Sequence, residues 1–315
     1  MRWNRCLRGL FLTAGLALAA APAESADLVI GVPHWSSAQA TAHILAEALE
    51  KQRGVDVELR EMGTLGIIKA MDRGEVDIHP QIWLPFSDRL LREHDTIILS
   101  LKGVPAKQNI CVTPTAHQDH GIASVDDLKD RRKAALFDTN GDGLGEIWIG
   151  ARTWASTPIE RIRARSYGFS ETMTLLEADE QVAMAAVDVA IATARPMVFV
   201  CYQPHHIFKL HNVQLLEEPD HDPDQWRILF PNEDPQWFQK SSAPVSWKEA
   251  HFHIGYIEEL TERAPEVTEF LDAVDFDITD IVAMTYALHV ERQSPEEFAK
   301  TWVAENPERV ATWFE

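Results

Sequence analysis

Basic charge, cysteine and long apolar runs are all scarce in this sequence, and each shortage excludes something. The 315 residues include 29 Lys and Arg against 49 Asp and Glu, a formal charge of −20. Nucleic acid and anionic lipid are thereby excluded as principal partners, since both are bound through clustered cationic side chains. Beyond the apolar run at 10–20, no stretch approaches the ~20 residues a membrane-spanning helix needs. No G-x-S-x-G elbow or H-E-x-x-H helix accompanies His34, Ser36, Asp138 or the His251/His253 pair. A secreted-hydrolase reading therefore rests on residue types alone, and the expectation is that the chain is not an enzyme. The cysteines number three. Cys111 and Cys201 lie in apolar, strand-like runs, ICVTP and VFVCY, where a thiol behaves as a small hydrophobe, so two free buried thiols are expected. Cys201, His205 and His206 offer zinc donors, but without a second correctly spaced pair.

What is present begins with Arg2, Arg5 and Arg8, the apolar run, and then Ala21-Pro22-Ala23. These are the n-region, h-region and A-x-A site of a secretory signal, with cleavage expected after Ala23 or, as a second choice, after Ala26. Cys6 precedes the apolar run, so no lipid-anchoring cysteine follows it. Removing the three arginines takes the formal charge from −20 to −23. The expectation is a soluble, exported, periplasmic protein. The roughly 290 residues that remain exceed one typical domain and favour two lobes.

Strands are expected at 28–32, 55–59 and 76–78, separated by a helix from Ser36 or Ser37 to Gly54 and another at 65–73. This β-α-β-α-β order gives a mostly parallel sheet whose ligands sit beyond the carboxyl ends of the strands. Further strands are expected at 97–101, 109–112, 133–137, 197–202 and 251–256, with helices at 158–165 and 178–194. Pro265, Pro295 and Pro307 start terminal helices. The fold class read from this order is α/β in two lobes, with lobe 1 at 27–108 plus 211–315 and lobe 2 at 109–210.

The most specific stretch is 136–154, LFDTNGDGLGEIWIGARTW. Asp138, Asn140, Asp142 and Gly143 begin it like an EF-hand loop, with Glu146 further on, although Ile149 stands where that loop has its bidentate Glu. Two readings stay open, a structural Ca²⁺ loop using Asp138, Asn140, Asp142 and Glu146, and a plain Asx/Gly turn. No other cofactor is required. Trp35, Trp83, Trp154 and Tyr202 each fall at or just past an expected strand end rather than on an amphipathic helix, which marks them as candidate binding residues.

LFDTNGDG followed by a Trp resembles the substrate-binding proteins of glycine betaine/proline betaine ABC transporters. QIWLPFS at 81–87 is similar to that family's N-W-x-P segment, VFVCYQP at 198–204 to its V-F-x-x-x-W-x-P strand, and His34-Trp35-Ser36 follows the first strand as an aromatic does in its choline-binding relatives. The resemblance implies a type II periplasmic binding-protein fold with a hinge and an interlobe ligand cleft. It also implies a permease and an ATPase at the inner membrane as partners. By it, the four aromatics cage a quaternary ammonium group while backbone N–H groups at Ala155 and Ser156, with Ser87, meet a carboxylate. The betaine branch has His at the place of Ser87, and the choline branch has Asp at the place of Ser37. Glycine betaine, choline, trimethylamine N-oxide and sulfonium analogues all stay open, with betaine-like zwitterions ranked above choline.

Overall fold

The computed structural model describes residues 26–315. The expected signal segment, including the cleavage site after Ala23, lies outside them. Among the described residues no helix is long and apolar enough to cross a membrane.

Among the described residues the strands are β1 (Leu28–Val32), β2 (Val57–Glu61), β3 (Ile78–Leu84), β4 (Ile97–Val112), β5 (Gly145–Trp148), β6 (Met173–Leu176), β7 (Val198–Gln203), β8 (Gln214–Leu215) and β9 (Ala250–Ile257). Their order is β2-β1-β3-β9-β4-β7-β5-β6, with β8 on β4. β1 pairs in parallel with β2 and β3, and β5 with β6 and β7, as short β/α connections require. The strand β4 joins the two halves. Its first part pairs with β9 and its last part with β7, both antiparallel. The stretches at 97–101 and 109–112, expected to be separate strands, are therefore one strand of 16 residues.

Two apolar cores flank this crossing and make the fold two-lobed. The first unites β1, β3 and β9 with the helix Ser36–Arg53 and the terminal helices, including Phe298, Trp302, Val310 and Trp313. The second gathers Ile110, Phe137, Ile147, Tyr167, Phe169 and Val200 around β5 and β7. A third cluster lies on the seam, where Trp35 and Ala38 meet Trp148, Trp154, Phe199 and Tyr202. Between them, residues 213–247 are held largely by second-lobe groups. Val125 N–H donates to the Glu217 carbonyl, Ala243 N–H donates to Ser166 Oγ, and Arg165 donates to the carbonyls of Phe238 and Ser241.

Two expectations are corrected. Residues 133–137 are helical, an α-turn at Arg131–Ala134 followed by a 3₁₀ turn at Ala135–Phe137. Asp130 caps the turn by accepting from Arg132 N–H at 2.7 Å, and the buried Ala134 and Phe137 stand three apart, a helical rather than a strand spacing. The strand comes after the acidic turn, at β5. The cysteines are not free thiols, because Cys111 and Cys201 form a disulfide. Antiparallel pairing sets Cys111 opposite Phe199 and Cys201 opposite Asn109, which brings the two Cα atoms to 5.8 Å, within disulfide reach. Pairing also removes Cys201 from any zinc site.

Candidate functional site

Trp35 follows β1 and sits at the N-cap of the helix Ser36–Arg53, in extended conformation. Its indole is fixed from behind, since Nε1 donates to Gln81 Oε1 at 2.9 Å. The same oxygen accepts from Ser37 Oγ at 3.0 Å, and Gln81 Nε2 donates to Thr41 Oγ1 at 3.0 Å. Trp83 lies in β3 itself, one residue before its end rather than past it, and stacks on Phe252 with centroids 5.0 Å apart. From the second lobe, Trp154 donates through Nε1 to the His34 carbonyl at 3.2 Å, and Tyr202 lies one residue before the end of β7. Gly150, at φ +117°, keeps space for Thr157 and Trp154, because a Cβ there would lie 2.6 Å from Thr157 Oγ1 and 3.1 Å from the Trp154 ring.

The four rings meet edge to face. Trp35 and Trp154 have centroids 6.4 Å apart at 82°, Trp83 and Tyr202 are 5.5 Å apart at 87°, and Trp154 and Tyr202 are 6.1 Å apart at 77°. They wall a pocket of about 440 Å³, counting the space open to solvent at its mouth. All seven residues expected to bind ligand, Trp35, Trp83, Ser87, Trp154, Ala155, Ser156 and Tyr202, line it. Ala155 and Ser156 sit just before the helix Thr157–Tyr167, at the positive end of its dipole.

Thr64, Gln81, Phe86 and Gln108 also line the pocket and were not singled out from sequence. Gln81 and Phe86 stand inside the QIWLPFS segment itself. Thr64 and Gln108 carry no sequence signal of this kind, since only the fold brings them here. None of the eleven lining side chains is charged. Such a wall offers a cation π-faces rather than a counter-ion, and hydrogen bonds to a carboxylate.

Two buried carboxylates stand behind this wall. Glu160 accepts from Gln108 Nε2 at 2.6 Å, from Trp247 Nε1 at 2.5 Å and from Arg163. Glu180 accepts from Tyr202 Oη at 2.5 Å, from Ser36 N–H at 2.8 Å and from His289 Nε2 at 3.1 Å. Burial alone would push the Glu180 carboxyl up. The hydrogen bond and charge of His289 and the Tyr202 hydroxyl together outweigh it and hold the group below the ordinary range. Burial, followed by the Glu180 charge, raises the Tyr202 phenol well above its usual value and keeps it a donor. In the sequence Glu180 looks like an ordinary acidic residue of a helix first turn, so its role was missed.

Among the described residues, Glu180, His205 and His289 are the set whose donor atoms lie close enough together to hold a metal. The proton arrangement fits one poorly. His205 Nδ1 accepts from Ile207 N–H, so the neutral ring carries its proton on Nε2, the nitrogen that would have to ligate. At the acidic turn, Asp138 accepts from Gly141 N–H at 2.6 Å and Gly143 N–H at 2.9 Å, Asn140 from Asp142 N–H, Asp142 from Leu144 N–H, and Glu146 from Thr139 N–H. Asp138, Asp142 and Glu146 do not converge as a ligand set.

A family model described as the substrate-binding domain of ABC-type glycine betaine transport systems matches residues 26–305. A relative in Dickeya dadantii strain 3937, the glycine betaine-binding periplasmic protein OusX, is 19% identical over 228 residues. That match covers 66% of this chain and 63% of the relative's length. Among solved structures, the glycine betaine/L-proline-binding protein ProX of Borrelia burgdorferi superposes with a TM-score of 0.72 at 18% identity, covering 91% of this chain and 96% of the other. Lactococcal OpuAC, in its closed form with glycine betaine, superposes with a TM-score of 0.70 at 18% identity, covering 92% and 100%. The likeness to these structures carries the two-lobed fold.

Proposed function

The chain belongs to the family of substrate-binding domains of ABC-type glycine betaine transport systems, and from that premise we propose that it captures glycine betaine or a related methylated onium zwitterion. The observation that carries this reading is the uncharged aromatic pocket, with two rings from each lobe and a helix N-terminus on one side. A trimethylammonium group has no N–H to donate, so π-faces are what can hold it, at about 0.5–2 kcal/mol each. Four faces supply roughly 2–8 kcal/mol against the ~8 kcal/mol of micromolar binding, so a second anchor is needed. The N–H groups near Ala155 and Ser156 provide it for a carboxylate, and Ser87 adds a neutral donor. Ser37, at the place where choline binders carry Asp, is buried and donates to Gln81, which favours betaine-like zwitterions over choline.

On this reading the protein works in the periplasm, delivers ligand to a permease and ATPase at the inner membrane, and performs no chemistry on it. Because the four rings come from both lobes, ligand is fully contacted when the lobes are closed, and it shifts an open/closed equilibrium by those extra contacts. We place residues 211–249 with the second lobe, on the strength of their bonds to it, rather than with the first as the sequence suggested.

Calorimetric titration of glycine betaine, choline and an uncharged tert-butyl isostere into wild type and Trp154→Ala tests the site. Trp154→Ala is expected to lose about 1–2 kcal/mol of onium binding, and Trp154→Phe less. Equal binding of the neutral isostere, or normal binding by Trp154→Ala, would rule the cage out.

A further inference from the structure

Glu180 opens the helix Glu180–Ala192 of the second lobe, and its side chain is buried. Two of its three close donors belong to the first lobe. Ser36 N–H is at the start of the helix that follows Trp35, and His289 ends the helix Ile278–His289, whose Ile281, Met284 and Leu288 lie in the first core. The third donor is the hydroxyl of the cage residue Tyr202. One carboxylate therefore joins both lobes and orients a cage ring at the same time. The basic side chains beside it are the histidines His205 and His289, and neither a Lys nor an Arg is among them. Nearby, His206 N–H donates to Thr285 Oγ1 across the same seam at 2.9 Å.

We propose that Glu180 is the positioning residue that fastens the closed state, holding the lobes together through Ser36 and His289 at a point the ligand does not touch while fixing Tyr202 for the ligand cation. Closing brings the two first-lobe donors to the carboxylate, and opening separates them. Part of the ligand's affinity is then a bond between the lobes. Loss of that bond speeds release rather than slowing capture.

This inference rests on the onium-binding reading, and its test separates the two. Glycine betaine dissociation is followed by stopped-flow Trp fluorescence in wild type, Glu180→Gln and His289→Asn, and each protein is melted with and without ligand. Glu180→Gln is expected to release ligand about 10- to 100-fold faster, the range set by a hydrogen bond to a charged group. Its ligand-free melting temperature should stay close to wild type. His289→Asn alters the same bond from the other lobe, so it should act in the same direction, and the double variant should fall short of the sum. Unchanged release from Glu180→Gln overturns the proposal. So does a loss of ligand-free stability equal to the loss with ligand, which would make Glu180 an ordinary core residue. Wild type that binds no onium ligand overturns the functional reading along with it.

Discussion

Glu160 and Glu180 are each 2% exposed and stand behind the same pocket, yet their charges are met in opposite ways. Glu160 lies against the guanidinium of Arg163, itself fully buried, which also reaches Glu218 and the Tyr167 hydroxyl. Burial works to lower the Arg163 pKa, but the charges of Glu160 and Glu218 outweigh it and raise it further. Of the Glu160 donors, Arg163 shares its helix, Gln108 extends from β4, and Trp247 comes from the segment wrapped over that lobe. Glu180 has only imidazoles and neutral donors, drawn from both lobes. The difference separates scaffold from switch. A buried carboxylate with a permanent cation beside it is satisfied whatever the lobes do, whereas one that borrows donors across a cleft is satisfied only when the cleft is shut.

The largest effect should come from breaking the scaffold side of this comparison. Arg163→Met leaves Glu160 and Glu218 buried without a counter-charge and is expected to destabilise the ligand-free protein by about 3–5 kcal/mol. The denaturant midpoint reads this directly. Adding Glu160→Gln to Arg163→Met should recover part of the loss, since one uncompensated charge is removed. Should Arg163→Met melt like wild type while Glu180→Gln does not, the roles of the two carboxylates are reversed.

A third buried ionisable group, His79, is accommodated by losing its charge. It is fully buried beside Trp35, and desolvation holds its pKa down to about 3. The unfolded chain takes up a proton here near pH 6.5 and the folded one does not, so stability is complete above that pH and falls as pH drops from 6.5 toward 3. The slope approaches about 1.4 kcal/mol per pH unit once the unfolded imidazole is protonated. Denaturation at pH 7 and pH 5 should therefore show a drop in wild type that is smaller in His79→Gln. Equal drops would place the acid sensitivity in other groups, with His205 and His206, whose pKa values burial also lowers, as the next candidates.

The parts legible in the sequence were those carried by local pattern. Apolar runs ended by Gly or Pro gave β1, β7 and the helix closing at Gly54, whose φ of +67° fits its place as a C-cap. The aromatics near strand ends were visible because nothing on a helix face explained them. What escaped depended on partners distant in the chain. Cys111 and Cys201 are 90 residues apart and meet through strand pairing alone. Glu180 and His289 are 109 apart and meet where two lobes touch. At 133–137, where a strand is expected ahead of the acidic turn, the Asp130 cap and the core contacts of Ala134 and Phe137 select a helical turn. Residues 213–247 have too little regular structure to announce which lobe they cover.

The smallest effect belongs to the carboxylates that bear no burial cost. Asp138, Asn140 and Asp142 are exposed or nearly so, and each accepts from a backbone N–H within its own turn. Gly143 and then Gly141 donate to Asp138 and hold its pKa below the ordinary value. Those glycines take φ of +88° and +80°, which lets the backbone curl around the acid. The oxygens that an EF-hand would aim at an ion are here occupied in closing the turn, and the bidentate Glu is replaced by Ile149. Millimolar Ca²⁺ added to chelator-treated protein is therefore expected to leave the melting temperature unchanged. A loop that bound the ion at a hundredfold excess over its Kd would instead add about 2.7 kcal/mol to the folded state, readily seen in a melt. Such a rise would mean that the turn reorganises around metal, and would add a third way of meeting acidic charge to the pairing at Glu160 and the sharing at Glu180.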